Sequence, residues 1–157
     1  MPIFMKYGAV KGAVTASGHE GWVELNSFQW EVDRTISSPT GGSSGRENSP
    51  PSIREIVVTK PTDIATVALL REFLVGDARD VSVDFCKTDS GTLTVYLSYT
   101  LNDTVISTRA ISSGGDLPEE QLALSFTKFQ CVDLLPGAGS GGSPDKVGYD
   151  VTTGRVS

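Results

Sequence analysis

The sequence predicts a mainly β domain, an antiparallel sandwich or barrel with one helix packed on its side. About eight short runs alternate apolar and polar residues, as half-buried strands do. Seventeen glycines and eight prolines supply the many turns that short strands need. Only the stretch 64–74 has the spacing of an amphipathic helix. The chain length of 157 residues fits a single domain over residues 1–157.

Composition excludes several classes of function. The net charge is −6, which disfavours nonspecific binding to nucleic acid or to an anionic membrane surface. No apolar run approaches the roughly 18–20 residues of a membrane-spanning helix, so we expect no membrane insertion. Residues 1–6 lack the basic and apolar regions of a signal peptide. We therefore expect synthesis in the cytoplasm and, if the protein is exported, a route that needs no signal peptide.

The first third of the chain contains strands separated by glycine-rich and serine-rich connections. An opening strand over 3–9 is followed by a connection with glycines at 8, 12, 18 and 21. Alternation over 23–33 changes phase at Ser27, which predicts a β-bulge. After the shift Phe28, Trp30 and Val32 share the inward face, and Gln29 lies on the opposite face. The stretch 37–52 has no apolar residue and predicts a long exposed loop.

The middle of the chain predicts a strand and then the helix. Pro61 ends a strand over 53–59, and Thr62 or Asp63 can cap the helix that follows. Gly76 is a suitable C-terminal stop. The predicted buried face of the helix consists of Ile64, Val67, Ala68, Leu70 and Leu74.

The remaining sequence predicts strands only. These strands cover 80–87, 92–101, 104–111, 121–132 and 147–151, with turns at 89–91 and at Asn102-Asp103 and a loop over 137–144. Glu119 and Glu120 are interpreted as a solvated strand entry.

No catalytic motif is visible. His19 is the single histidine, and its expected role is a local hydrogen bond within a turn. Cys86 and Cys131 lie in strand-like runs without CxxC spacing, so we expect buried free thiols and no zinc or redox centre. No helix follows the early glycines, which excludes a phosphate-binding fingerprint. The sequence therefore predicts no enzyme activity and no cofactor.

Several motifs, in this order, resemble the haemolysin-coregulated protein (Hcp) family, the tube subunit of bacterial type VI secretion. They are Gly8, Lys11 and Gly12; Phe28-Gln29-Trp30; the polar loop 37–52; Lys60, Pro61 and Asp63; residues 124–129; and the ending 148–151. The chain departs from the family in three places. Family members often have Trp at the position equivalent to 28 and a Gly shortly after the second aromatic residue, and this chain has neither. The strand before Lys60 is also less aromatic than is usual in the family.

The resemblance implies a compact antiparallel β-barrel of two sheets with one flanking helix. It also implies hexameric rings that stack into a hollow tube, with a spike protein, a contractile sheath and effector cargo as partners. Gln29 would face the lumen. Residues of the polar loop would contact the adjacent ring, with Ser37, Thr40, Ser43, Arg46, Glu47 and Asn48 as candidates. The chain has no room for a C-terminal toxin domain, which weakens an enzymatic role.

Two alternatives stay open at the level of sequence. A monomeric β-sandwich that binds carbohydrate would present Phe28 and Trp30 as an exposed stacking platform. A small hydrolase would need a site built on His19 or on carboxylates from distant strands.

Overall fold

A computed structural model describes residues 1–37, 47–137 and 143–157. It contains two antiparallel sheets that share one long strand, and a single helix among the described residues. The mainly β fold with a flanking helix is as predicted. The strands of the first sheet, in spatial order, are β2 (Val23–Leu25), β1 (Ile3–Tyr7), β9 (Arg79–Asp89), β10 (Thr92–Ser112), β12 (Lys128–Asp133), β13 (Asp145–Asp150) and β14 (Arg155–Val156).

The second sheet begins where β10 changes partners. Its strands, in order, are β10, β11 (Glu119–Ser125), β8 (Ile56–Pro61) and β3 (Ser27–Gln29). The predicted turn at Asn102-Asp103 is wrong, because β10 runs unbroken for 21 residues. Asp103 instead adopts a left-handed conformation, φ 50°, at an irregularity in the pairing with β9. That irregularity separates the segment paired with β12 from the segment paired with β11.

The core fills the space between the two sheets. Both sheets and the helix contribute fully buried side chains, among them Met5, Tyr7, Val23, Ile56, Val58, Leu69, Val81, Leu101, Leu122 and Leu124. An aromatic cluster closes one side of this core. Phe28 stacks on Tyr99 and meets Phe85 edge to face, while Trp30 meets Phe129 edge to face.

The predicted bulge at Ser27 is a change of sheet. Val23 and Leu25 belong to β2, which pairs with β1, whereas Ser27 to Gln29 form β3, which pairs with β8. The phase shift is real, but it marks the residue at which the chain passes between sheets. Val32 was expected inside and is about half exposed instead.

Residues 32–37 and 47–53 form an arm, and the residues between them, 38–46 of the loop predicted over 37–52, lie outside the described residues. Two short ladders build the arm: β4 (Val32–Asp33) with β7 (Ser52–Ile53), and β5 (Ile36–Ser37) with β6 (Glu47–Asn48). The ladders include Ser37, Glu47, Asn48 and Ser52 from the two ends of the predicted loop. Ser49 supports the ladders, since its backbone N–H and its hydroxyl both donate to the Thr35 carbonyl.

The helix α1 (Thr66–Val75) ends at Gly76 as predicted, in the left-handed conformation. Its predicted buried face is wrong. The residues that reach the core are Ala65 and Leu69, with Phe73 packed beside them. Four large apolar residues face outward and are 60–73% exposed: Ile64, Val67, Leu74 and Val75. Helix α1 therefore carries apolar residues on both its inner and its outer face.

Candidate functional site

The exposed side of β3 and β8 carries the first candidate site. Gln29 is exposed, while its neighbours Phe28 and Trp30 pack against the core. This placement agrees with the expectation that Gln29 points away from the aromatic pair; its role at a lumen stays a prediction. Phe28 and Trp30 belong to the aromatic cluster, which does not give the exposed platform that the carbohydrate-binding alternative requires.

Gln29 lies on the rim of an open groove of about 440 Å³ between the end of β3 and the start of β8. The groove is lined by Gln29, Trp30, Glu31, Arg54, Glu55 and Val57. Trp30 and Val57 are half-buried. The Trp30 indole N–H donates to the Arg54 carbonyl at 3.0 Å, which fixes the ring across the base of the arm.

The charges of the groove are unevenly compensated. Arg54 forms a 2.7 Å ion pair with Asp33 and lies 3.9 Å from a Glu31 oxygen. Asp33 therefore balances Arg54, and the pKa of the Arg54 guanidinium is raised mainly by its hydrogen bond with Asp33. The Ser107 hydroxyl donates to Glu55 at 2.5 Å. Glu31 and Glu55 are left as two exposed carboxylates on the rim.

The predicted motif residues Lys60, Pro61 and Asp63 belong to a buried ion network at the start of α1. Lys60 is fully buried, and its Nζ donates to Glu120 at 2.7 Å and to the Pro61 carbonyl at 2.7 Å, and lies 2.9 Å from Asp63. Glu120 is also fully buried and accepts from the Thr66 hydroxyl at 2.7 Å and from Arg109 at 2.9 Å. The interpretation of Glu120 as a solvated residue is therefore wrong.

Two cations and two carboxylates make this network nearly neutral. Burial alone would raise the pKa of Glu120, but the bonds from Lys60, Thr66 and Arg109 together outweigh burial and hold that pKa below its ordinary value of 4.5. Glu120 is therefore ionised at neutral pH. The network ties β8, β10 and β11 to the first turn of α1, which is a structural rather than a catalytic arrangement.

The motif Gly8, Lys11 and Gly12 shapes the connection after β1. Gly8 has φ +52°, and its N–H donates to the Asp80 carbonyl. A Cβ on Gly12 would lie 2.1 Å from the Trp22 carbonyl oxygen, so no side chain fits there. Lys11 is exposed between them.

His19 makes the local hydrogen bonds expected of a turn residue through its backbone, from its N–H to the Ala16 carbonyl and from the Trp22 N–H to its own carbonyl, but its side chain reaches a distant partner. Its Nε2 lies 2.7 Å from Asp84, a residue 65 positions away on β9, and its ring lies between Phe4 and Trp22. The Ser98 hydroxyl donates to the other Asp84 oxygen. Ser98 therefore contacts the carboxylate and not the imidazole, so these residues lack the contact between nucleophile and base that catalysis requires.

Both cysteines are free thiols, Cys86 buried and Cys131 half-buried. Burial raises the pKa of each thiol, and Asp84 adds to the effect at Cys86. Both thiols are therefore poor nucleophiles. Within the described ranges, no three or more His, Cys, Asp or Glu side chains are placed to hold a metal ion. In the same ranges, no helix has the length and apolarity to cross a membrane.

Three of the six ring-contact candidates lie on the arm. Ser37 is exposed in β5, and Glu47 and Asn48 form β6. Thr40, Ser43 and Arg46 lie outside the described residues. Their roles stay predictions.

Sequence reasoning missed Arg54, Glu55, Arg109 and Glu120, which build the groove and the network. Arg54 lies in an alternating strand-like stretch, and its positive charge there was a signal in the sequence that could have pointed to it. No local sequence pattern distinguishes the buried Glu120 from its exposed neighbour Glu119.

Comparison with known proteins agrees with the fold. Residues 4–132 match the family model described as "Type VI secretion system effector, Hcp". A solved structure described as a type six secretion system protein superposes with a TM-score of 0.86 at 19% identity, covering 99% of each chain. Hcp1 from Salmonella typhimurium superposes with a TM-score of 0.79 at 19% identity, covering 99% of this chain and 98% of the other.

Secreted protein Hcp3 from Pseudomonas aeruginosa is a third structural match, with a TM-score of 0.66 at 20% identity over 92% of this chain and 97% of the other. A comparison with curated protein sequences found no match. The family match spans most of the chain and, with the two-sheet fold, defines a protein of type VI secretion. The chain belongs to the Hcp family.

Proposed function

We propose that the protein is a structural subunit of the type VI secretion tube, which forms hexameric rings that stack and carry effectors in the lumen. On this proposal the chain catalyses no reaction, and its function is self-association. The protein is made in the cytoplasm and leaves the cell through the secretion system. The spike protein, the contractile sheath and the effector cargo are its proposed partners.

The observation that carries the proposal is the apolar outer face of α1. Val67, Leu74 and Val75 on the helix, and Ile64 just before it, are 60–73% exposed. Large apolar side chains that are exposed together in this way are typical of interfaces between proteins. Covering this face in an assembly would remove apolar area from water and stabilise the assembly.

The arm supplies a second surface of the same kind. Val32 and Ile36 lie on the arm, and both are about half exposed. The arm and the outer face of α1 are different surfaces, so contacts made through them would be heterologous. Heterologous contacts close into a ring when the rotation between subunits permits it. We assign the α1 face to contacts within a ring and the arm to contacts between stacked rings.

The test is the mass and shape of the purified protein. Size-exclusion chromatography with light scattering should give about 100 kDa, six times the 16.6 kDa of one chain. Negative-stain images should show rings with a central hole. A monomer over a wide range of protein concentration would refute the tube function and leave the fold unaffected.

The lumen position of Gln29 has its own test. Gln29→Arg should fold normally by circular dichroism and still form rings, because Gln29 is exposed and lies outside the core. It should alter retention of cargo. An unfolded Gln29→Arg protein would show that the placement is wrong.

A further inference from the structure

The outer face of α1 and the end of the β12–β13 pair have complementary chemistry. We propose that the outer face of α1 of one copy docks on the β12–β13 end of a second copy, where its Arg71 bonds the carboxylates of Asp133 and Asp145. This inference rests on the proposed function and deepens it, because it names the two surfaces that meet within a ring.

The outer face of α1 contains one cation within an apolar stripe. Arg71 is exposed and lies four positions after Val67 and three before Leu74. Residues at these spacings lie on one side of a helix, so the Arg71 side chain emerges between apolar neighbours. The single carboxylate of the helix, Glu72, is paired with Arg79 at 2.8 Å. No carboxylate of the described residues lies within ion-pair distance of Arg71, so its charge is available to a partner.

The end of the β12–β13 pair contains two carboxylates without a cation. Asp133 on β12 and Asp145 on β13 are directly opposite each other in the ladder. Like charges in this arrangement weaken the strand pairing. Lys146 is close by, but in the described ranges no cation lies within ion-pair distance of either carboxylate. A guanidinium placed between the two would therefore remove a repulsion as well as add an attraction.

The surroundings of the two carboxylates also match α1. Both line a cavity of about 130 Å³, which is below the roughly 300–1,000 Å³ of small-molecule sites and suits the end of one side chain. Leu134 and Leu135 follow Asp133 in the chain, Val147 lines the cavity, and all three are 41–47% exposed. The Asp133 carboxylate accepts the Leu135 N–H at 2.9 Å, so it is oriented before a partner arrives. Each surface is thus apolar, and their charges have opposite sign.

Arginine is suited to this contact. A guanidinium has five N–H donors in a planar fork and can bond two carboxylates, while its aliphatic stem packs on apolar side chains. The two surfaces belong to different elements of one chain, so every copy offers one of each. Contacts of this kind are heterologous, and they continue from copy to copy until a ring closes. A second copy of the chain is therefore the occupant that both surfaces fit.

The test reverses the charge on each surface in turn. Arg71→Glu alters the outer face of α1, and Asp145→Arg alters the other surface while leaving the bond between Asp133 and Leu135 in place. Light scattering over a range of protein concentration gives the concentration at which half of the chains are assembled. Each substitution should raise that concentration about tenfold or more, because a charge-assisted bond is replaced by repulsion. Circular dichroism should be unchanged, since both residues are exposed.

Matched controls and a rescue make the test specific. Lys6→Glu on β1 and Asp89→Arg at the end of β9 reverse exposed charges that belong to neither surface, and both should assemble like the wild type. Combining Arg71→Glu with Asp145→Arg in one chain restores opposite charges and should restore assembly. An equimolar mixture of the two single variants should also assemble, because every contact between unlike chains then pairs opposite charges. The mixture tests the contact even if the double variant fails to fold.

A single variant that assembles like the wild type, controls that lose as much as the variants, or no restoration in the mixture would each overturn the inference. Failure of the tube function gives a different result. If rings of six form and both single variants leave them intact, the tube function stands and this contact is wrong. If the wild type forms assemblies other than rings, and these respond to both substitutions and to the rescue, the contact stands and the tube function fails. A monomeric wild type overturns both.

Discussion

Replacing Glu120 with Gln tests whether the buried ion network holds the fold together at the start of α1. The substitution keeps the shape of the side chain and removes its charge. Glu120 accepts from Lys60 and Arg109, both charged, and from the Thr66 hydroxyl. Breaking a buried pair by removing one partner costs about 3–5 kcal/mol.

The structure favours the lower end of that range. Lys60 would keep Asp63 at 2.9 Å and the Pro61 carbonyl at 2.7 Å, so its charge would not be left alone. The Arg109 side chain is 14% exposed and can reach water. We therefore expect a loss of about 3 kcal/mol in the free energy of unfolding. For a domain of this size that loss lowers Tm by about 6–12 °C.

Urea unfolding at neutral pH and at one fixed protein concentration measures the effect, because assembly makes apparent stability depend on concentration. Glu119→Gln is the control, since Glu119 is adjacent and exposed, and it should change stability by no more than about 0.5 kcal/mol. Combining Glu120→Gln with Lys60→Met should cost less than the sum of the single changes. A loss under about 1 kcal/mol for Glu120→Gln, or strict additivity in the pair, would refute the reasoning.

Three further predictions follow from the same structure. Because the folded pKa of Glu120 lies below 4.5, its stabilisation is complete above that pH and is lost as the pH falls through the folded value. Glu120→Gln should therefore flatten the decrease in stability as the pH falls below about 4.5, and an unchanged decrease at acid pH would contradict this. Gly12→Ala should lower the free energy of unfolding, measured in urea, by about 1–3 kcal/mol, because the new Cβ would clash with the Trp22 carbonyl. Gly114→Ala is the control and should have no such effect, because its Cβ would contact nothing; equal effects of the two substitutions would contradict the clash at Gly12. Val67→Asp on the outer face of α1 should leave circular dichroism unchanged and shift light scattering from rings to monomer, and intact rings would exclude this face from the interface.

The phase change at Ser27 shows how far strand periodicity reaches. The alternation of apolar and polar residues correctly located the position at which the inward-facing set of residues changes, because the alternation has opposite phase on the two sides of that position. It could not separate a bulge within one strand from a crossing between two sheets. That difference depends on which strands lie beside residues 23–25 and 27–29, and their partners β1 and β8 are set by tertiary pairing.

The helix shows a different limit. Apolar residues occupy positions on nearly every side of residues 64–75, so two faces satisfy the helical spacing. The face predicted to be buried is largely the one that the structure leaves exposed, and Ala65 and Leu69 are buried instead. Periodicity assumes that only the buried face is apolar, and here apolar residues on the exposed face satisfy the same helical spacing.

Polar contacts between residues that are far apart in the sequence cannot be predicted from local sequence patterns. Lys60 and Glu120 are 60 positions apart and meet because β8 pairs with β11. His19 and Asp84 are 65 positions apart and meet because β9 pairs with β1, whose Phe4 packs on the His19 ring. The sequence marked Lys60 through its resemblance to a family motif, but its burial and its partners required the register of the second sheet.

The order of strands along the chain has a consequence for the nascent protein. The segments β1, β2 and β9 can pair as soon as residue 89 has left the ribosome. Strands β3 and β8 can pair with each other once residue 61 has emerged, but the other edge of β8 has no partner until β11, which ends at Ser125. Long-range pairing of this kind slows folding and exposes strand edges to other chains. We expect the interval between the emergence of residue 61 and that of residue 125 to be the one in which this protein depends most on chaperones.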